Sequence, residues 1–151
     1  MSLGTAIQIS ASGLTAERLR LDVISNNIAN VNTTRTASGQ PYRRQIVTFQ
    51  ERQPSGFSAM LAAATGSQVG SPAGNGVEVS SIAPDLSTPF KSVYDPGNPD
   101  ANAKGYVKMP NVSPIIEMVD MISASRSYES GVTAIDDAKQ MQMRALSIGS
   151  A

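Results

Sequence analysis

The sequence predicts a mainly α protein with paired long N- and C-terminal helices and a central irregular segment containing short β-strands. Three observations carry this. Near the N-terminus large apolar residues recur at alternating steps of three and four; the C-terminal stretch is periodic and opens on a proline; and the 81 residues between them hold eight glycines and eight prolines. The expected division is 1–35 for the N-terminal helix of an α-domain, 36–112 for a central extended region and 113–151 for the C-terminal helix.

In the first helix the recurring residues are Leu3, Ile7, Leu14, Leu21, Ile24, Ile28 and Val31, with Ser10 and Glu17 in the two missing seam positions. From residue 3 to 31 such a helix is about 43 Å long at roughly 1.5 Å per residue. Ala6, Ile9, Ala11, Leu19 and Val23 lie off this seam. A two-helix hairpin leaves them in water, so the pair is expected to complete its folding among other helices. Four asparagines, Asn26, Asn27, Asn30 and Asn32, follow around the helix end, where the last carbonyls lack intrahelical partners. Amides both donate and accept. The patch therefore reads either as a set of bonds to neighbouring helices that fixes axial register, or as a solvated, fraying terminus.

In the centre, Gln45–Phe49 and Val77–Val79 have the β-branched and aromatic bias of short strands. Phe57, Met60, Leu61 and Ala64 have helical spacing ended by Gly66, and 65–76 has the composition of a flexible linker. Tyr42-Arg43-Arg44-Gln45 resembles a nucleic-acid contact only superficially. At zero net charge a solvated or subunit-bridging arginine pair is the better reading. Ser113 followed by Pro114 is an N-cap and a first helical residue. Downstream run Ile115, Val119, Ile122, Tyr128, Val132, Ile135, Ala138 and Leu146, widened by Met118, Met121, Met141 and Met143, with Gly149 as a stop. Methionine at helical spacing is core filling in most contexts and an adaptable groove in some.

The chain has no cysteine and no histidine, which removes disulfides, thiolate sites and histidine-based triads or metal clusters. Asp136 and Asp137 are adjacent on a helix and point about 100° apart, so they do not converge for acid–base work. Gly74-Asn75-Gly76 is a turn, not a phosphate loop. The opening residues lack a basic n-region and a continuous apolar h-region, and no window approaches 18 apolar residues. The expectation is no enzyme activity, no cofactor, no nucleic acid, no small-molecule substrate and no direct membrane insertion.

Residues 10–34, "SASGLTAERLRLDVISNNIANVNTT", resemble the N-terminal signature of the bacterial flagellar rod, hook and hook-associated axial family. Residues 33–50, 94–130 and 138–149 continue the resemblance in order and narrow it to the proximal rod proteins of the basal body. The resemblance implies a structural subunit that polymerises helically with other rod proteins and copies of itself into the drive shaft between motor and hook. It also implies a coiled coil of the terminal helices, export by the flagellar type III apparatus without a cleaved leader, and residence in the periplasmic rod. Under it, the assembly interface comprises Leu3, Ile7, Leu14, Leu21, Ile24, Ile28 and Val31, the amides Asn26, Asn27, Asn30 and Asn32, bridging Arg43 and Arg44, and Met118, Val119, Ile122, Tyr128, Val132, Ile135, Met141 and Leu146. Two positions depart from the family pattern: Asn98 stands where a histidine is usual, and Gly131 where an asparagine is. The alternatives are a self-contained helical adaptor that takes one partner helix, and a glycan hydrolase, for which no carboxylate pair is indicated.

Overall fold

Helix α1 spans Leu3–Ala29 and helix α2 spans Pro114–Gly149. Between them lie strands β1 (Gln45–Glu51), β2 (Val77–Pro84), β3 (Lys91–Tyr94) and β4 (Tyr106–Met109). The computed structural model describes residues 3–53, 60–61, 64–66 and 74–149. Phe57, the side chain of Leu3 and residues 67–73 of the expected linker lie outside the described residues.

Helix α1 stops two residues before the expected end. The Asn30 amide still reaches the Asn26 carbonyl at 3.1 Å, but Val31 N–H then donates to Ile28 O and Thr33 N–H to Asn30 O, three-residue turns that tighten and close the helix. Helix α2 begins as its residues demand: Pro114 occupies the first turn, and Glu117 N–H donates to the Ser113 carbonyl at 3.0 Å. Met60, Leu61, Ala64 and Thr65 are helical and Gly66 follows with φ 65°, the left-handed conformation that ends a helix.

β1 and β2 form one two-stranded sheet, and β3 and β4 a second. The β3–β4 pair is antiparallel, with Val93 opposite Val107 and Tyr94 opposite Tyr106. It had no sequence signal because each strand is four residues long, and β3 is exposed along its whole length, so no alternation is written into it. The Tyr94 and Tyr106 rings meet edge to face at 5.3 Å. Asp95 N–H donates to Gly105 O, and Gly105 takes φ 77° with a Tyr94 ring carbon 2.8 Å from where a Cβ would sit.

The chain divides into two compact units, and α1, β1, β2 and α2 each contribute to both. One comprises Met1–Arg18, Thr48–Ser80 and Arg126–Ala151. In it Ala16 and Ala138 are buried, and a Cβ on Gly131 would lie 2.8 Å from Leu14 Cδ2, so the missing side chain is what lets the helices approach there. Ser12 Oγ donates to Ile9 O at 2.6 Å and accepts from Val77 N–H at 3.1 Å, tying the start of β2 to α1. The other unit comprises Leu19–Val47 and Ser81–Ser125, with Val23, Ile24, Val107, Val112 and Ala124 as its apolar core.

The apolar stripe expected on α2 divides. One covered row runs through Glu117, Met121, Ala124, Gly131, Ile135 and Ala138, spaced by threes, fours and their sum, with Pro114, Asp120 and Ser125 half-covered beside it. Ile115, Ile116, Met118, Val119 and Ile122 are exposed, and so are Met141, Met143, Leu146 and Ile148. The row's fully buried members are the Glu117 carboxylate, Ala124 and Ala138, while most of the large apolar side chains face outward.

Candidate functional site

The densest polar arrangement sits in the second unit and starts from Asn27, which α1 presents at 1% exposure. Its Oδ1 accepts from Gln45 N–H and from the Tyr42 hydroxyl, both at 2.9 Å. Its Nδ2 donates to Gln45 O at 2.9 Å and to Glu117 Oε2 at 3.0 Å. Both amide protons and both lone pairs of the oxygen are thereby used. By bonding both the N–H and the C=O of Gln45, the side chain acts as a strand neighbour for the first residue of β1.

Glu117 is fully buried. A buried carboxylate must be paired and hydrogen-bonded to remain charged. Asn27 supplies one donor, and Arg44 Nε supplies the charge partner at the other oxygen. Arg44 Nη2 also donates to Asp120 Oδ2 at 2.9 Å, and Arg20 lies 4.0 Å from the other Asp120 oxygen. Burial, followed by the nearby Glu117 charge, raises the Tyr42 pKa above the ordinary 10.0, because both disfavour a phenolate there.

A second layer fixes the backbone of Arg44. Its N–H donates to Asn111 Oδ1 and its carbonyl accepts from Asp85 N–H, both at 2.8 Å. Asn111 Nδ2 in turn donates to the carbonyls of Asp85 and Thr88. Arg43 donates to Asp85 O at 2.8 Å and stacks over the Phe90 ring at 4.3 Å. The Asp85 carboxylate accepts from the hydroxyls and amides of Ser87 and Thr88. Those bonds, the Ser87 hydroxyl foremost, hold its pKa well below the usual carboxylate range. Beside this layer is a cavity of about 540 Å³ lined by residues that include Tyr42, Arg43, Pro84 and Phe90.

This arrangement splits the asparagine patch. Asn27 is an internal node; Asn26 and Asn30 are bonded to each other at 2.7 Å on the surface; Asn32 is exposed in the turn beyond α1. Neither expected role, register bonds to neighbours or a fraying end, describes Asn27. Arg43 and Arg44, read from the sequence as subunit bridges, both have partners within the chain. Ile24 is buried, and Ile7, Leu14, Leu21, Ile28, Val31 and Ile135 are half-buried. Met118, Val119, Ile122, Val132, Met141 and Leu146 are exposed, with Tyr128 at the margin. Glu117, Asp85, Asn111 and Asp120 were missed. The one available signal was Glu117 itself, a charge inside the apolar run of α2 and one residue too late to cap it.

The node positions chain segments and carries no reacting group: its carboxylates are held by arginine, amide and hydroxyl donors. Among the described residues no three acidic side chains gather to hold a metal ion, and no helix is long and apolar enough to cross a membrane.

Comparison with known proteins agrees at both ends of the chain. Residues 7–35 match the family described as flagella basal body rod protein, and residues 103–148 match the C-terminal family of the flagellar basal body rod FlgEFG proteins. The flagellar basal-body rod protein FlgC of Bacillus subtilis is 50% identical over 148 residues, 95% of this chain and 96% of its own. FlgC of Borreliella burgdorferi is 47% identical over 152 residues, 98% of each chain, and FlgC of Escherichia coli O6:H1 is 42% identical over 149 residues, 99% of each. Identity at this level over essentially the whole length, together with rod-family matches on both α1 and α2, places the chain in the FlgC family of flagellar basal-body rod proteins.

Proposed function

We propose that this chain is a structural subunit of the flagellar basal-body rod that polymerises helically with other rod proteins and with copies of itself. The supporting observation is the outward face of α2. Val119 is 61% exposed, Ile122 56% and Met141 57%, on a helix whose fully buried positions are Glu117, Ala124 and Ala138. Large side chains left in water on a helix that already has a buried face belong to surfaces that neighbours cover. In the shaft, the terminal helices run as a coiled coil and Met118, Val119, Ile122, Tyr128, Val132, Met141 and Leu146 meet adjacent subunits. The half-buried α1 seam of Ile7, Leu14, Leu21 and Ile28 completes the wall. The subunit reaches the periplasmic rod through the flagellar type III export apparatus, and its role there is mechanical, not catalytic.

The test is co-assembly. Full-length protein mixed with a cognate rod protein is followed by sedimentation and electron microscopy, alongside Val119→Asp, Ile122→Asp and a deletion of residues 1–31. Growth of sedimentable filaments that each variant abolishes, with far-ultraviolet helicity of the point variants retained, supports the reading. Saturation at one partner per chain favours the helical adaptor instead, and unaltered growth of the aspartate variants removes α2 from the interface.

A further inference from the structure

We infer that Asn75 is a self-modification site, a deamidating asparagine whose conversion releases the start of β2 from helix α1. Ring closure needs three things together: an untethered carboxamide, a following backbone N–H that is not already donating, and no side chain shielding that nitrogen. The chain has eight asparagines. Six of them have carboxamides engaged in hydrogen bonds. Of the other two, Asn32 is followed by β-branched Thr33, whose N–H donates to Asn30 O at 3.1 Å. Asn75 is followed by glycine. Among the described residues neither its carboxamide nor the Gly76 N–H makes a hydrogen bond. All three conditions meet at Asn75.

The chemistry requires only water. The Gly76 nitrogen attacks Asn75 Cγ, the new N–Cγ bond closes a five-membered succinimide, and ammonia leaves with the amide proton delivered through solvent. Water then adds to either ring carbonyl. Opening one way leaves aspartate; opening the other leaves isoaspartate, with the side-chain methylene now in the main chain. Asparagine is among the thermolabile residues for this reason.

The location makes the product consequential. Gly76 has φ 92°, and a Cβ there would collide with Ser12 Oγ and lie 3.2 Å from Ser12 Cβ, so backbone and helix already touch. Gly76 O accepts from Arg52 N–H at 3.0 Å, and Val77 N–H donates to Ser12 Oγ at 3.1 Å. An extra main-chain atom just before Gly76 displaces both bonds. Either product also adds a negative charge one residue from Gly74, whose Cβ position is 3.2 Å from Glu51 Oε1. The inference stands independently of the rod assignment.

The experiment ages the full-length protein in heavy-oxygen water at mildly alkaline pH and maps the peptides by mass spectrometry, with Asn75→Gln as the variant in which ring closure is disfavoured. Label is expected at residue 75 ahead of the other seven asparagines, as a mixture of aspartate and isoaspartate, and absent from Asn75→Gln. Amide exchange protection at Val77 and Arg52 is expected to be lost in the aged wild type and kept in the aged variant. Reaction at Asn75 only in urea-unfolded chain, with the native chain unlabelled, overturns the site. Labelled native chain with undiminished protection at Val77 overturns the release.

Discussion

Replacing Asn27 by alanine tests the central node most directly. The substitution deletes four hydrogen bonds in one step, to Gln45 N, Gln45 O, Tyr42 Oη and Glu117 Oε2. The tyrosine hydroxyl is part-buried and regains water. The two Gln45 groups and the Glu117 oxygen are left facing the alanine, and a buried orphan costs about 1–3 kcal/mol, more when charged. Three orphans, partly relieved by water entering the vacated volume, sum to about 3–5 kcal/mol. A domain of this size has about 5–15 kcal/mol of total stability, so the variant stands near its unfolding threshold. Asn26→Ala removes one exposed bond to Asn30 and costs about 0.5 kcal/mol or less. The assay is urea unfolding of both variants by far-ultraviolet circular dichroism, with the midpoint read at constant slope. The reasoning fails if Asn27→Ala costs under about 1 kcal/mol, or no more than Asn26→Ala, because Asn27 then contributes no more than a surface amide.

Glu117→Ala is expected to cost about 2–4 kcal/mol, toward the lower side of a broken buried pair because Arg44 retains Asp120, whereas Glu117→Gln keeps an acceptor for Arg44 and costs less; equal losses in the two variants, measured by the same unfolding assay, refute the charge argument. Since the folded-state pKa of Tyr42 is raised, the stability it contributes is whole below the unfolded value near 10 and is lost as pH rises from there through the higher folded value. Midpoints measured across that alkaline range should fall more steeply for wild type than for Tyr42→Phe, and parallel curves would count against it. Gly131→Ala gains about 1 kcal/mol of helix propensity and loses about 1–3 kcal/mol to crowding against Leu14, whose Cδ2 sits 2.8 Å from the added carbon. Its melting temperature is therefore unchanged or lower; a rise of several degrees would show that the close approach is not needed.

The two helices, the starts of β1 and β2, and the proline-capped opening of α2 were all readable from the chain, because period, caps and turn residues act over a few neighbouring positions. The family was readable too, since its motifs are contiguous runs along α1 and α2. Periodicity also showed that Ile115, Val119 and Ile122 share one side of a helix, but it identifies a face without saying whether the chain itself covers that face. In the fold the covered face of α2 is instead the one carrying Glu117, Ala124 and Gly131. That outcome depends on groups brought from far along the chain. Arg44 lies 73 residues from Glu117 and Asn27 lies 90 from it, and only when both arrive does burying a carboxylate become tolerable. Strand β3 is a similar case, four exposed residues with no pattern of their own that extend because β4 supplies their hydrogen bonds. Local conformational preference and apolar spacing are properties of neighbouring residues and so are written in the sequence; the pairing of buried charges and backbone donors is a property of distances in space, and the folded chain alone sets those.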